Sequence, residues 1–437
     1  MNKKQKAVAW LGFYLLVGCN PQTPGITLPA QLTSALGAGP AAIGTESPNA
    51  QPSLTPTPSL VPSTPTATVN PGAISHLASG SAVDVTFVQM LDGKNGWGVG
   101  GVKKSNISNH VLRTTDGGIT WLDVTPPEQA DATDSASKAS AVGFFPDINT
   151  AWVTIHGSWP AAVPAAPIVW KTMDGGLHWI ASAPFDTTDL EVFTVSDILF
   201  SGPSGWVLAH VGAGMNHDYI ALYHSTDSGM TWSRIMDPVI DGGVQSCSKT
   251  GIYFKDKSNG WLTGDCNGVA PGALLFQTAD AGQTWQPVLL PAPSDRKDLF
   301  TAMEYACGIR APVAFASTLY LVVECDVYTG ATQGFASYLY TSTNNGLDWS
   351  YLPYPGGEFR TTDGFTGWAL GKDIFRTVDG GMNWEKIQTV TWDGRFNFVS
   401  ASMGFAIAQK DGEFGLVQTA DGGRSWVLLA PVIAAGQ

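Results

Sequence analysis

The sequence predicts an all-β protein built from repeats, and three observations lead to this prediction. A short motif, Ser/Thr-x-Asp-x-Gly-x-x-Trp, occurs seven times, with Asn in place of Asp in the fifth copy. A Gly-Trp or related pair precedes most copies, within an apolar run typical of a strand. The copies recur every ~35–65 residues, which is the period of a repeat architecture and not of independent domains. They occupy 114–121, 172–179, 225–232, 278–285, 342–349, 377–384 and 419–426.

Each motif has the composition of a β-hairpin corner. The Asp carboxylate accepts backbone N–H groups and the Gly tolerates positive φ, so the Asp-x-Gly step supplies a turn. The Trp then begins the next strand and buries its ring against neighbouring repeats. The amide of Asn344 can cap a turn but cannot replace a catalytic carboxylate, which favours a structural role for the whole set. The set is Asp116, Asp174, Asp227, Asp280, Asn344, Asp379 and Asp421.

The segments between the motifs supply the other strands of each repeat. An apolar run such as 195–200 comes first, followed by a Gly-Trp segment such as 205–208. The strand that leads into the motif is the third, and the strand that its Trp begins is the fourth; we name them a, b, c and d. The fifth repeat is the exception, with only 319–322 as strand b and a long loop expected over 326–337. Seven repeats of four strands predict a seven-bladed β-propeller over residues 79–437.

The motif resembles the Asp-box, or BNR, repeat, in which the boxes lie on the periphery of β-propellers, away from any active site. The longer phrase of Gly-Trp, strand and Thr-x-Asp-Gly-Gly-x-x-Trp, as at 367–384, resembles the photosystem II stability/assembly factor family. This resemblance extends over nearly the whole predicted propeller, and the family includes lipoproteins with seven-bladed heads. It implies a non-catalytic function, in which the head holds a partner protein during assembly of a membrane complex.

Residues 1–18 have the pattern of a lipoprotein signal peptide. Three lysines precede an uncharged apolar stretch, 7–17, which is too short to span a bilayer but suits a signal-peptide h-region. The segment Leu16-Val17-Gly18-Cys19 resembles the bacterial lipobox, which implies cleavage before Cys19 and its acylation. An ordinary secretory signal is the alternative. We therefore expect an extracytoplasmic protein, anchored by lipid at Cys19 to the outer face of the cell membrane.

Residues 19–78 have the composition of a disordered linker. The stretch after Cys19 is mostly Pro, Thr, Ser, Ala and Gly, and Glu46 is its only charged residue as far as Ile74. Such a composition buries too little apolar surface to fold, and its prolines favour a semi-rigid stalk. The predicted organisation is therefore signal peptide, stalk and propeller head.

Cysteine usage agrees with an extracytoplasmic location. Apart from Cys19 the chain has four cysteines, in two pairs of nearly equal spacing. Both pairs fall around strands a and b of adjacent repeats, where Cys247–Cys266 and Cys307–Cys325 disulfides are plausible, although four cysteines allow three pairings. A zinc site is the competing interpretation, but the sequence has no Cys-x-x-Cys pair.

The long loops are the predicted location of a binding site. Strand order places the motifs and the a–b turns on one face and the b–c and d–a loops on the other, and binding sites are usually built on such loops. Trp159 is the main candidate contact, since it belongs to neither repeat pattern; packing as a local loop anchor is the alternative. Tyr328 is the second candidate, and Trp159 and Tyr328 together in one acidic groove would favour a sugar ligand. The same loops hold Phe335, Glu128, Asp131, Asp134, Asp237 and Asp241.

The sequence contains no recognisable catalytic set. A sialidase needs three arginines around a carboxylate, but Arg113, Arg376 and Arg424 are attached to motifs and few others remain. No spacing singles out the carboxylate pair of a glycoside hydrolase, and no phosphate loop, nucleophile elbow or metal-ligand spacing appears. We predict no enzyme activity, no cofactor and no metal.

The net charge of −13 argues against a nucleic-acid partner. The predicted function is therefore binding of a protein partner by the loop-bearing face, as a scaffold or assembly factor. The alternative is a propeller that binds or hydrolyses carbohydrate. A surface display module without a dedicated ligand is the third interpretation.

Overall fold

The computed structural model describes eleven segments of the chain, and all regular secondary structure in them is β-strand. The segments are 74–105, 108–127, 140–157, 159–160, 162–164, 166–214, 217–240, 244–245, 247–266, 274–329 and 332–435. The predicted signal peptide, Cys19 and most of the predicted stalk lie outside them, as do Glu128, Asp131, Asp134 and Asp241.

The strands form antiparallel meanders, in which each strand pairs with its neighbour in sequence. The first meander is β1 (Val83–Met90), β2 (Gly96–Val102), β3 (His110–Thr114) and β4 (Thr120–Asp123). The second is β5 (Ser140–Phe144), β6 (Ala151–His156), β7 (Trp170–Thr172) and β8 (Ile180–Ala181). The third is β9 (Thr194–Ser201), β10 (Ser204–Ala213), β11 (Asp218–Ser225) and β12 (Ser233–Met236).

The next nine strands form one sheet that contains two meanders. The first of these is β13 (Ser248–Phe254), β14 (Gly260–Asp265), β15 (Leu274–Thr278) and β16 (Gln286–Pro287). The second is β17 (Tyr305–Ile309), β18 (Val313–Phe315), β19 (Thr318–Thr329), β20 (Thr332–Ser342) and β21 (Ser350–Pro353). They are joined where Asp265 pairs with Gly308. Both β17 and β18 pair with β19, so the first strand of this meander is divided in two.

Two further four-stranded meanders complete the chain. One is β22 (Glu358–Thr361), β23 (Gly367–Leu370), β24 (Asp373–Thr377) and β25 (Glu385–Thr389). The other is β26 (Asp393–Phe398), β27 (Gly404–Lys410), β28 (Glu413–Thr419) and β29 (Val427–Leu428). The short β30 (Val432–Ile433) follows it.

The meanders are arranged in a ring. First strands of successive meanders contact one another: β5 contacts β9, and β9 contacts β13. Likewise β22 contacts β26, and β26 contacts β1 of the first meander. The ring is closed by β30, which pairs in parallel with β4, the outer strand of the first meander. Across the same closure, Met90 N–H donates to Asn397 Oδ1 at 2.7 Å. A closed ring of antiparallel meanders is a β-propeller.

Each motif forms the turn between the third and fourth strands of its meander. In the third meander, Ser225 Oγ accepts the N–H of Gly229 at 2.9 Å and donates to Asp227 Oδ1 at 2.7 Å. The Asp227 carboxylate accepts the N–H and the hydroxyl of Thr231, at 3.0 and 2.6 Å. Burial opposes ionisation of Asp227, but the hydrogen bonds from Thr231 outweigh it and lower the pKa of the carboxyl to about 2.

Asn344 makes the equivalent turn with an amide in place of the Asp carboxylate, and its Nδ2 donates to Asp348 Oδ2 at 2.7 Å. Its Oδ1 accepts the Ser342 hydroxyl and the Asp348 N–H, both at 3.0 Å. The turn therefore requires an oxygen acceptor at this position and not a carboxylate.

The motif turns and the a–b turns lie on the same face, because they are hydrogen-bonded to each other in six meanders. Gly117 N–H, for example, donates to Lys94 O at 2.9 Å, and Ala281 N–H to Ser258 O at 3.0 Å. The connections between second and third strands, and those between meanders, lie at the opposite end. We call that end the loop face.

A Trp of the second strand joins several meanders to the next one. Trp206 on β10 is fully buried and stacks on Phe254 of the following meander, with ring centroids 3.8 Å apart. Its indole N–H donates to Ala281 O, in the motif turn of that meander, at 2.8 Å. Trp152 and Trp368 make the same two contacts, stacking on Phe200 and Phe398 and donating to the carbonyls of Ser228 and Gly422.

The Trp of the motif packs in the other direction, against the preceding meander. Trp285 lies in one buried cluster with Leu222 and Met236 of the third meander. Trp179 donates its indole N–H to Val124 O at 2.8 Å. The interfaces at Trp152, Trp206 and Trp368 therefore combine the second-strand Trp of one meander with the motif of the next.

The chain enters the propeller beside β4, at a buried carboxylate. Asp123 Oδ2 accepts Leu77 N–H and contacts His110 Nδ1, both at 2.8 Å, while Oδ1 accepts the Thr125 hydroxyl. Burial opposes ionisation of Asp123, but the bonds from His110 and Thr125 outweigh it, so the pKa of the carboxyl lies below its usual value.

We expect Trp206→Ala to lower the free energy of unfolding by about 3–5 kcal/mol, because it removes a fully buried indole. Denaturant unfolding of the full chain followed by circular dichroism measures this. Trp159→Ala is the control, since its ring is 45% exposed, and we expect it to cost under ~1 kcal/mol. Equal losses would contradict the interlocking role of Trp206.

The contribution of Asp123 to stability is expected to depend on pH. Because its folded pKa is lowered, the stabilisation is complete above the ordinary pKa of 3.8 and is lost as pH falls through the folded value. Asp123→Asn should therefore be less stable than the wild type at neutral pH, and the difference should shrink between about pH 5 and pH 2. Unfolding titrations across this range measure it, with the exposed Asp411→Asn as control. Parallel curves for wild type and Asp123→Asn would contradict the prediction.

Candidate functional site

A cleft with a volume of about 630 Å³ lies between the β19–β20 hairpin and β22. We call it the hairpin cleft. Its walls combine charged, aromatic and aliphatic side chains from neighbouring meanders. They include Tyr320, Val322, Glu324 and Asp326 of β19, Phe335 of β20, Glu358, Phe359 and Arg360 of β22, and Thr250, Asp265 and Arg310.

The hairpin forms a wall because it extends beyond the strand beside it. β19 and β20 contain 12 and 11 residues, whereas β21 pairs with β20 only along Tyr338–Thr341. Side chains alternate between the two faces of a strand. One face of β19 buries Val323, Cys325 and Val327 in an apolar cluster, and the other face lines the cleft.

The hairpin corrects the sequence prediction for the fifth repeat. We expected 326–337 to be a loop, but 326–329 lie in β19 and 332–337 in β20, and the two strands pair as far as Thr329 and Thr332. The signal was present in the sequence, since Val323, Cys325 and Val327 alternate with polar residues at the period of a half-buried strand. The fifth repeat was nevertheless not recognised as containing a long second strand, because it lacks the Gly-Trp pair that marks this strand in the other repeats.

A disulfide lies behind this wall. Cys307 of β17 and Cys325 of β19 are directly opposite each other, bonded and fully buried. The second disulfide, Cys247–Cys266, joins the segments that flank β13 and β14. These are the two pairs that the sequence favoured, and all four thiols are consumed, so no zinc site is formed by them.

Two ion pairs occupy the hairpin cleft. Arg310 Nη2 lies 3.7 Å from Glu324 Oε2, and Arg360 pairs closely with Glu358. Glu324 Oε1 also accepts the N–H of Gly357 at 2.6 Å, which fixes this carboxylate in place. Four carboxylates and two guanidinium groups line the cleft, so its formal charge is −2.

Asp326 is bonded differently from the other acidic residues of the cleft. Its carboxylate accepts the neutral side-chain amide of Gln333 at 3.2 Å. Among the described residues, no Lys, Arg or His forms an ion pair with Asp326. Phe335 is its direct neighbour across the hairpin and is 55% exposed.

The candidate Tyr328 lies on the same wall. It follows Asp326 by two residues on β19, so their side chains share a face, and it is opposite Gln333. The Tyr328 side chain is 48% exposed. Phe335 lines the cleft, and Tyr328 lies on the same face of the hairpin, nearer its end.

The candidate Trp159 lies elsewhere. It follows β6, and its half-exposed ring meets the edge of His210 with centroids 6.0 Å apart. His210 Nδ1 in turn lies 2.9 Å from Asp218 Oδ1. Trp159 and Tyr328 belong to different meanders, and the described residues show no contact between them. The common groove that would have favoured a sugar ligand is not formed by this pair.

Large apolar side chains are exposed on the loop face. Val239 and Ile240, between β12 and β13, are highly exposed, as is Met303 before β17. The acidic Asp237 of the same loop is buried and accepts the N–H groups of Val239 and Ile240 at 2.8 and 2.9 Å. Asp237 therefore shapes the loop, while the neighbouring apolar residues, which the sequence analysis did not select, face solvent.

A second cavity of about 660 Å³ is lined by first strands of other meanders. Hydroxyls of Thr86, Ser140 and Ser196 share it with Asp197 and Arg395. Burial raises the pKa of the Asp197 carboxyl, so this group protonates more readily than an exposed aspartate.

No metal-binding cluster is formed by the described residues, as no three His, Cys, Asp or Glu side chains come together. The same parts of the chain contain no helix able to cross a bilayer.

The sequence matches no known protein-family model and no curated protein. The structure is similar to YCF48 bound to D1 peptide, with 16% identity and a TM-score of 0.48 over 82% of this chain and 99% of that chain. It is also similar to YCF48 from Cyanidioschyzon merolae, with 15% identity and a TM-score of 0.42 over 79% and 97%. Polysaccharide lyase Uly1 has 9% identity and a TM-score of 0.49 over 79% and 90%. At identities this low, the similarity does not indicate the function of this chain.

We expect removal of the Cys307–Cys325 disulfide to loosen the hairpin wall. The bond closes a loop with a sequence separation of 18, and such a loop is worth about 3 kcal/mol of unfolding free energy. Cys307→Ala combined with Cys325→Ala should show this loss, with faster amide hydrogen exchange in 322–338. The Cys247→Ala, Cys266→Ala pair is the control, with unchanged exchange in that segment. Faster exchange in both variants would contradict a specific role for Cys307–Cys325.

Proposed function

We propose that this chain is a non-catalytic extracytoplasmic lipoprotein whose propeller head binds a partner protein through its loop face, as a scaffold or assembly factor. The observation that carries the proposal is that exposed apolar side chains of the loop face occur together with the hairpin cleft. Val239, Ile240, Met303 and Phe335 are each more than half exposed, and Phe335 also lines the cleft. The motif turns expose apolar side chains as well, among them Met173, Leu347 and Met382. The loop face combines such side chains with a cleft, and this combination favours a protein-interaction site there.

The proposal includes the whole domain organisation. Each half of the nine-stranded sheet counts as one blade, which gives one blade for every motif and seven in total over 79–437. Residues 1–18 act as the signal peptide, and acylated Cys19 anchors the protein to the outer face of the cell membrane. The linker 19–78 then holds the head away from the lipid surface, so that the loop face can meet a partner.

The absence of catalysis is part of the same proposal. Two of the four carboxylates of the hairpin cleft, Glu324 and Glu358, are each engaged by an arginine. A glycosidase needs one carboxyl that protonates the leaving group and another that attacks or activates water. Ion-paired carboxylates suit recognition better than this chemistry.

The alternative is a propeller that binds or hydrolyses carbohydrate. Tyr328 and Phe335 favour it, because two exposed rings stand beside the carboxylate of Asp326 on one cleft wall. Apolar ring faces combined with a few polar groups are also typical of small-ligand sites.

A photo-cross-linking experiment on intact cells tests the proposal. The full chain carries p-benzoylphenylalanine at Met303 on the loop face or at Met382 in a motif turn, and these methionines are 68% and 74% exposed. We expect the same one or two membrane-associated proteins to be captured from position 303 and not from position 382. Ile240→Asp should reduce their capture by about tenfold, as loss of a central apolar contact does.

Two further arms decide between the interpretations. Cys19→Ala should release the protein from the membrane and reduce the capture. Identical captures from positions 303 and 382, or none that repeats, would overturn partner binding by the loop face. Retention on insoluble polysaccharide, or release of reducing ends, would favour the carbohydrate alternative.

A further inference from the structure

Resting on the proposed function, we infer that the hairpin cleft binds an extended, basic peptide segment of the partner. A lysine or arginine of that segment lies over the Phe335 ring with its cation against Asp326.

The first support is the arrangement of the wall. Asp326 and Phe335 are directly paired across the hairpin, and side chains at such positions have Cβ atoms about 4.5–5.5 Å apart. A carboxylate therefore stands beside an exposed aromatic face. This combination suits a cation with an apolar stem, since the stem packs on the ring and the charge meets both the carboxylate and the ring quadrupole.

The second support is the charge of the cleft. Both of its arginines are paired, Arg310 with Glu324 and Arg360 with Glu358. Asp326 is bonded by a neutral amide, and no cation among the described residues forms an ion pair with it. Asp265 interacts with the positive charge of Lys249. The negative charge that the cleft offers to a ligand is therefore that of Asp326, which attracts basic segments and repels acidic ones. A second copy of this chain, with a net charge of −13, is a poor occupant for the same reason.

The third support is the shape of the wall. The cleft-lining side chains of β19 run from the largely buried Tyr320 and Val322 to Glu324 and Asp326. Six residue steps of a strand span about 20 Å, which is the length of an extended peptide of roughly six residues. The wall changes along its length from Tyr320 and Val322 to Glu324 and Asp326, so it can distinguish successive side chains of a bound segment.

The rigidity of the wall favours binding of an extended chain. Cys325, beside Asp326 in sequence, is bonded to Cys307 behind the wall. Glu324 is held by Gly357 at the far side of the cleft. A binding site that is already ordered loses less conformational entropy when it captures a flexible peptide.

Selection from a peptide library is the test. The full-length chain is used to select from a displayed library of random ten-residue peptides, and the enriched peptides are measured by fluorescence anisotropy. We expect enrichment of sequences with a lysine or arginine next to an apolar residue. Replacing that basic residue by glutamate should weaken binding at least about tenfold, and raising the salt concentration should weaken the binding of the parent peptide.

Matched variants locate the binding. Asp326→Asn and Phe335→Ala should each weaken binding of the enriched peptides by about five- to tenfold. Asp411→Asn removes one exposed carboxylate at the β27–β28 turn, outside the cleft, and should leave the affinity within about twofold. Circular dichroism of each variant confirms that it is folded.

Several results would overturn the inference. Enrichment of acidic or uncharged peptides would do so, as would unchanged binding in Asp326→Asn, or binding of polysaccharide at the cleft in place of peptide. If no peptide is enriched while photo-cross-linking from position 303 still captures a partner, the inference fails and the proposed function stands. If both experiments fail, both are wrong.

Discussion

The contact on which the rest of the molecule depends is the seating of a second-strand tryptophan against the motif turn of the next meander. Trp206 stacks on Phe254 and donates to Ala281 O, and the same pair of contacts recurs at Trp152 and Trp368. Each motif fixes the backbone of its turn with a hydroxyl and a carboxylate or amide oxygen, which holds the accepting carbonyl in place. The repeated motif is therefore a packing surface within the ring, and the loops at the other end are free to vary.

The motif turns have the same structure in every repeat, whereas the loop face differs from one repeat to another. The motif turns are nearly identical, whereas the β19–β20 hairpin has no counterpart of its length among the described strands. Its inner face continues the common core through Val323 and Val327, and its outer face carries Asp326 and Tyr328. The two faces of β19 thus differ: one packs in the core that all repeats share, and the other forms a surface that no other repeat has in the described residues.

Much of the fold was readable from the sequence because its determinants are local. The turn of each motif is encoded within eight residues, and the disulfide pairs follow from spacing around adjacent strands. The cleft was not readable, because Arg310, Glu324 and Glu358 come from segments whose relation depends on how two meanders face each other. Tyr328 was selected as a candidate contact within an expected loop, whereas it lies in β19. The proximity of Asp326 and Phe335 follows only from the cross-strand register, which the sequence does not reveal.

The parallel pairing of β30 with β4 has a consequence for how the protein is made. Met90 and Asn397, which meet at this closure, are 307 residues apart in the chain, and contacts of such long range form late because their loop entropy is large. During synthesis the first meander emerges long before its last strand exists. Until then its outer edge at β4 is an open template for pairing with other chains, and this exposure ends when β30 pairs with β4.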